Sequence, residues 1–334
     1  MKAPLEPVRW DAGAVNLLDQ RLLPGTFQVD RLEQVEQVAE AIETLAVRGA
    51  PAIGIAAAYG VVLGALRAQD GGRAPKLGAA EAIDRLKGTR PTAVNLFHDL
   101  NRMQEVLNSD PPDVLEALLT EAHKVLADDL ATGERIAEVG LQVLPPQGDI
   151  TVLTHCNAGG LATGGWGTAL APVYLAHDKG RRIRVLADET RPLFQGSRLT
   201  AWEMARVGIP VSVVVDGAAA SLLKKGDVDV VITGADRIAL NGDTANKIGT
   251  YPLALAAKAT GVPFYIAAPL STFDRKLKTG GEIPVEVRSS TEVLGPESRK
   301  GVDAVNLAFD VTPHELIHGW ITEIGLLKPP FVFP

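Results

Sequence analysis

A single cysteine, Cys156, sits in THCNAGGLATGGWGTA (Thr154 to Ala169), directly after a short run of β-branched and apolar residues. A thiol acts as a base or nucleophile through its thiolate, which nearby cations and N–H donors stabilise. The glycines behind it allow a tight turn or close approach of the backbone to a ligand. The plain alternative is an inert thiol in a glycine-rich turn, because free cysteines are often merely buried. Asp236, in ITGADRIALNGDTANKIGTYPLA (Ile232 to Ala254), follows an apolar strand and a Gly-Ala turn. Apolar surroundings favour a protonated carboxyl, the form a general acid needs. Read locally, Asp236 is equally a turn or cap residue. His155 suggests a Cys–His pair, but adjacent strand residues point to opposite faces, which argues against it.

Other segments carry groups suited to a small anion. Asn246 and Lys247 are expected to open a helix whose first N–H groups and dipole attract negative charge. In VRGAPAIGIAAAYG (Val47 to Gly60), Arg48, Gly49 and Ala50 precede a helix start, where backbone donors and a guanidinium can receive a phosphate. Arg90, before Pro91, offers a second cation at a helix start. The loop ADETRPLFQGSRLTAWEM (Ala187 to Met204) crowds Asp188, Glu189, Arg191, Gln195 and Arg198 together. Solvated loops, capped helix starts and weak surface ion pairs would account for each of these taken singly.

The elements that must position these groups follow from periodicity. Leu32, Val35, Val38, Ile42 and Leu45 recur at helical spacing, with Asp30 placed to cap the first turn. Pro51 suits the first turn of a nearly all-apolar helix running to Ala68, and helical patterns follow at Thr92 to Leu107 and Pro112 to Leu144. Asp70 to Pro75 reads as an exposed loop. At PPQGD (Pro145 to Asp149) the pattern changes. Strands are expected at Ile150 to Thr154, Ile183 to Ala187, Val211 to Val215, Val228 to Thr233 and Pro263 to Ala267. They alternate with helices at Gly167 to His177, Arg198 to Val207, Ala218 to Lys224 and Lys247 to Thr260.

Apolar strands alternating with helices imply an α/β fold with a Rossmann-like parallel sheet covered on both faces. Ligands of such sheets collect beyond the carboxyl ends of the strands, which is where Cys156, Gln195 and Asp236 fall. The expected division is 1–144, a mainly helical domain with a linking helix, and 145–334, a Rossmann-like catalytic domain.

Composition narrows the class further. The chain has 334 residues, enough for two domains, and a net charge of −7 that disfavours nucleic acid and anionic membrane surfaces. One cysteine excludes an internal disulfide and a multi-cysteine zinc site, which fits a reducing, cytoplasmic setting. Met1 to Trp10 does not read as a secretory signal. The apolar region Ala50 to Leu66 is shorter than a usual membrane span and carries Pro51 and three glycines, so a buried helix is expected.

The segments RGAPAIGIAAAYG, TRPTAVNLFHDLNRM, THCNAGGLAT, DETRPLFQGSRLTAWEM, TGADRIALNGDTANKIGTYPLALAAK and FDVTPHELIHGWITEIG resemble, in order, the motifs of the methylthioribose-1-phosphate isomerase family. That family shares its fold with the regulatory subunits of the eukaryotic translation-initiation guanine-nucleotide exchange factor. The resemblance covers Arg9 to about Phe331. It implies an aldose–ketose isomerase of methionine salvage that converts S-methyl-5-thioribose 1-phosphate to the ribulose 1-phosphate. Cys156 and Asp236 stand at the catalytic positions, and Arg48, Gly49, Ala50, Arg90, Gln195, Asn246 and Lys247 at the substrate-binding ones. It also implies a small antiparallel element at the start of the helical domain, a homodimer, and neither metal nor organic cofactor.

Two rival readings remain open at this stage. A related isomerase acting on 5-deoxyribose 1-phosphate or ribose 1,5-bisphosphate would use the same pair, differing only at the C5 pocket. A phosphosugar-sensing regulatory subunit would bind without turnover. A nicotinamide dehydrogenase is disfavoured, because no GxGxxG pattern follows the first strand.

Overall fold

In the computed structural model, which describes residues 2–90, 94–295 and 301–329, the chain divides into two compact units. The first is Met1–Glu134 with Gly159–Gly167, and the second is Arg135–Ala158 with Thr168–Pro334.

The first unit opens with an antiparallel sheet of β1 (Val8–Asp11), β2 (Ala14–Leu18) and β3 (Val29–Leu32), in that order. Residues expected to begin the first helix belong instead to β3, where Asp30 lies opposite Leu17 and Leu32 opposite Val15. Asp30 therefore caps nothing. Pairing with β2 satisfies this backbone, and α1 (Val35–Glu43) starts later, where Gln37 Oε1 accepts the Gln34 N–H at 3.0 Å. Helices α2 (Ala50–Asp70), α3 (Pro75–Lys87), α4 (Val94–Asn108) and the part of α5 (Val114–Gly140) up to Glu134 complete the unit's main elements. The helical pattern expected from Thr92 begins outside the described residues. The buried stripe of α3, Gly78, Ala79, Ala82, Ile83 and Leu86, keeps helical spacing, but three of its five residues are glycine or alanine and give a weak hydrophobic signal.

Helix α2 is long and apolar enough to cross a membrane by length and composition, yet 78% of its most apolar window is buried within the protein. Ile53, Ile55, Tyr59, Val61, Val62 and Leu63 join one hydrophobic cluster with residues of α1, α3, α4 and α5. A helix apolar all round has no solvent face, so it forms the centre of the unit.

The second unit runs β4 (Ile150–Thr154), α6 (Ala171–Asp178), β5 (Ile183–Asp188), α7 (Ala201–Arg206), β6 (Val211–Val214), α8 (Ala219–Lys225) and β7 (Val230–Thr233). It continues through β8 (Arg237–Ala239), β9 (Thr244–Lys247), α9 (Thr250–Thr260), β10 (Phe264–Ala267), β11 (Phe273–Asp274), α10 (Thr291–Leu294), β12 (Phe309–Thr312), β13 (Gly319–Thr322) and β14 (Gly325–Leu327). The main sheet has the order β14-β13-β10-β7-β4-β5-β6. Its pairings are parallel except at the β14 edge. The five strands read from sequence are β4, β5, β6, β7 and β10. Val152, Leu153, Val185, Val230 and Val231 bury their side chains in it, each contributing roughly 1.5–3 kcal/mol.

Strand order decides where a ligand can sit. From β4 the chain steps outward to β5 and β6, then returns to place β7 on the other side of β4. Connections diverge at β4 and β7, opening a crevice beyond their carboxyl ends. A second sheet, β11-β8-β9-β12, lies after β7 in the chain and was not foreseen. It corrects one expectation: Asn246 and Lys247 do not open a helix but lie on β9, opposite Asp310 and Phe309 of β12. Helix α9 begins only at Thr250.

Candidate active site

Cys156 lies two residues beyond β4 and adopts φ +65°. Its N–H donates to Thr190 Oγ1 at 2.8 Å, and its carbonyl accepts from Thr200 Oγ1 at 2.7 Å. Thr190 Oγ1 in turn donates to the Asp188 carbonyl at 2.9 Å. Behind them Asn157 Nδ2 donates to Thr200 Oγ1 at 3.2 Å and to Glu203 Oε1 at 2.7 Å, while Tyr174 donates to Glu203 Oε2. Thr190 and Phe194 also have φ near +60°. Left-handed backbone at non-glycine residues costs of order 1–3 kcal/mol each and persists where surrounding bonds enforce it. Three such residues around one strand end fix the direction of the half-buried Cys156 side chain.

Asp236 lies between β7 and β8, half-buried, with its N–H donated to the Ala245 carbonyl at 2.9 Å. Thus the carboxyl is set at the end of β7 by the second sheet. Gln195, buried at the start of the helical turn Gly196–Thr200 after β5, has an Oε1 with no hydrogen-bond partner among the described residues, so it offers an acceptor suited to a hydroxyl. Asn246 donates from Nδ2 to Thr250 Oγ1 at 3.0 Å. Lys247 Nζ stands 4.8 Å from the centre of the Phe309 ring.

The α9 terminus does not present its donors as expected. Asp310 accepts Gly249 N–H at 2.8 Å and Tyr251 N–H at 3.0 Å, so a carboxylate of the protein already answers this helix start. Burial raises the Asp310 pKa against those two bonds. Any anion near Lys247 is therefore met by the side chain rather than by these N–H groups.

His155 is buried with both ring nitrogens engaged, Nδ1 with Asp188 Oδ2 at 3.0 Å and Nε2 with the Ile248 carbonyl at 2.8 Å. It is not placed as the base of Cys156. A carbonyl only accepts, so Nε2 carries a proton. Burial opposes charge on the ring, but the Asp188 bond, the Ile248 carbonyl and Asp216 outweigh it and raise the His155 pKa. His155, Asp188 and Asp216 bring potential ligand atoms within 4.8 Å of one another. Those of Asp216 accept the Thr190 and Arg191 N–H groups, each at 2.8 Å, and the other two residues bind each other. The three side chains thus form a hydrogen-bond network in which Asp188 Oδ1 alone has no hydrogen-bond partner among the described residues.

The remaining expected residues lie in the first unit. Gly49 caps α2 with φ +98°, Ala50 is its first residue, and Arg48 is half-buried just before them. The Gly159–Gly167 loop that continues from Cys156 packs here: a Cβ on Gly49 would lie 2.5 Å from Ala162 Cα. Within the loop, Thr163 Oγ1 accepts the Gly165 and Gly167 N–H groups at 3.1 and 2.8 Å, and Gln20 Nε2 donates to the Leu161 carbonyl at 2.8 Å. Gly49→Ala is expected to destabilise the protein by on the order of 2 kcal/mol or more, from the positive φ and the clash together. Urea unfolding measures this. Arg90 is half-buried after α3; residues 91–93 beyond it lie outside the described set.

Sequence reasoning missed Thr190, Thr200, Asp310 and the His155–Asp188 link. The first two are ordinary threonines until the fold brings them to Cys156. Asp310 becomes visible only through the β9–β12 pairing.

Residues 46–329 match the initiation factor 2 subunit family. A methylthioribose-1-phosphate isomerase of Gemmatimonas aurantiaca is 55% identical over 324 residues, 96% of this chain and 93% of its own. The crystal structure of 5-methylthioribose 1-phosphate isomerase from Pyrococcus horikoshii OT3 aligns with TM-score 0.90 and 43% identity, covering 98% of this chain and 93% of that one. A structure described as subunit delta of the translation initiation factor eIF-2B, from A. fulgidus, aligns with TM-score 0.86 and 42% identity over 98% and 96% of the two chains. The chain belongs to the initiation factor 2 subunit family and, within it, to the methylthioribose-1-phosphate isomerases.

Proposed function

We infer that the protein is an aldose–ketose isomerase that converts S-methyl-5-thio-α-D-ribose 1-phosphate to S-methyl-5-thio-D-ribulose 1-phosphate in methionine salvage. Relatives of that name match nearly the whole chain at about half identity. The observation that carries the chemistry is the placement of Cys156 and Asp236 after β4 and β7, the two strands flanking the switch point.

The substrate's anomeric oxygen bears phosphate, so the sugar cannot open as a free aldose does. The ring oxygen must be activated directly. Asp236, as the acid, gives its proton to that oxygen while the C1–oxygen bond breaks. Hydrogen then passes from C2 to C1, the C2 hydroxyl loses its proton, and a carbonyl forms at C2. The sum is an internal redox change with no outside oxidant. Cys156 assists the C2-to-C1 step as base or as a thiolate beside the electron-poor carbon. Gln195, through its unpaired acceptor, and Asn246 orient hydroxyls. The cations and N–H donors suited to a phosphate are Arg48, Arg90 and the backbone of Gly49 and Ala50 in the first unit, and Lys247 in the second. We further propose a cytoplasmic homodimer, for which sedimentation would give twice the 35.3 kDa of the chain.

Incubating the purified protein with methylthioribose 1-phosphate and following phosphoketose formation tests the function. Turnover is expected. Binding without turnover in calorimetry would favour the phosphosugar-sensing role, and preferred turnover of ribose 1,5-bisphosphate or 5-deoxyribose 1-phosphate would reassign the C5 pocket.

A further inference from the structure

We propose that His155, anchored by Asp188, is a positioning residue for this isomerisation: its ring ties the strand end that carries Cys156 to the turn that follows Asn246 and Lys247. The inference rests on the isomerase reading but concerns a residue that the proposed reaction does not use.

The geometry is specific. His155 is the last residue before Cys156, and its Nε2 reaches the Ile248 carbonyl, one residue past Lys247. Gly249, with φ +106°, gives way to the ring: a Cβ there would lie 2.6 Å from His155 Cε1. On the other side the Asp188 carboxylate holds Nδ1, while the backbone carbonyl of Asp188 accepts the Thr190 hydroxyl, whose oxygen takes the Cys156 N–H. Asp310 fixes the far end of the turn through Gly249 and Tyr251. Thus one imidazole joins β4, β5 and the β9–α9 turn. The charged groups facing it are Asp188 at the end of β5, Asp216 after β6, and Asp310 on β12. With both nitrogens occupied and 1% of its surface exposed, His155 acts through its neighbours rather than on substrate.

The test compares His155→Asn, His155→Gln, His155→Phe and Asp188→Asn in the full-length protein. Kinetics with methylthioribose 1-phosphate are paired with the pH profile of iodoacetamide alkylation. Because Cys156 is the chain's sole cysteine, alkylation reports on that thiol alone. Asn can keep a bond near the Nδ1 position and Gln one near Nε2, whereas Phe keeps only volume. The expected result is a kcat loss on the order of 10²-fold in His155→Phe, as a misplacement of about 1 Å produces, with partial rescue by Gln or Asn and a displaced alkylation profile. Asp188→Asn should shift both readouts in the same direction. Folded variants with wild-type kcat, KM and alkylation profile would overturn the proposal, even if their thermal stability fell. Should the wild type not turn over this substrate, the isomerase reading fails while alkylation still tests the link between His155 and Cys156.

Discussion

Asp236→Asn is expected to lower kcat by on the order of 10²–10⁴-fold while leaving the fold unchanged. Asparagine preserves the size of the side chain, and the backbone bond from residue 236 to the Ala245 carbonyl does not involve the carboxyl. What disappears is the proton delivered to the ring oxygen. Because that proton matters most as the bond breaks, the loss should fall on kcat with KM nearly unchanged. Cys156→Ser should give a comparable loss, since serine fits the φ +65° position no worse than cysteine and the clamp by Thr190 and Thr200 engages only the backbone. Steady-state kinetics with far-ultraviolet circular dichroism checks both variants. Full activity in either would remove that residue from the mechanism. Substrate deuterated at C2 separates the two roles of Cys156: loss of label to water indicates a base, and retention at C1 indicates direct hydride transfer.

The second large effect is on stability and involves a residue away from the reacting groups. Asp129, on α5, is half-buried, and desolvation of its carboxyl pushes its pKa up to about 7 despite the Gly164 N–H at 2.6 Å; the Asp99 carboxylate adds to the rise. The folded state thus binds the proton more tightly than the unfolded chain, whose ordinary value is 3.8. The resulting stabilisation is complete at acid pH below the unfolded value and is lost as pH rises through about 7. The interval corresponds to about 4 kcal/mol. Asp129→Asn removes the titration while its Oδ1 can still accept from Gly164. Urea unfolding from pH 5 to 8 should therefore show a flatter curve than wild type, with the variant gaining relative stability toward pH 8. Other titrating groups cancel in the difference as long as they do not couple to position 129; Asp99 is the neighbour that does. Parallel curves for the two proteins would show that Asp129 does not titrate in this range.

Much of the second unit was legible from local pattern. Short β-branched runs between turn residues gave β4, β5, β6, β7 and β10 nearly residue by residue; β-branched residues mark the edge strand β6 even where it is exposed, and the inner strands β4, β7 and β10 need continuous apolar stretches. The apolar α2 was readable for the same reason. By contrast, the helical stripe of α3 begins with Gly78, Ala79 and Ala82, which carry too little hydrophobic contrast to mark a helix. Asp30 was read as a cap because its spacing suited a helix, but pairing of β3 with β2 prevailed.

By itself, the sequence determined that a thiol and a carboxyl follow two buried strands of a parallel sheet, and it carried the motifs that mark the family. Those are local properties, fixed by side-chain type and spacing. Only the tertiary structure decided that Asn246 and Lys247 lie on a strand, because β9 pairs with β12 some sixty residues later in the chain. It likewise decided that Asp310 answers the α9 terminus and that His155 spans 93 residues to reach Ile248. Such bonds depend on strand order, which no local periodicity encodes.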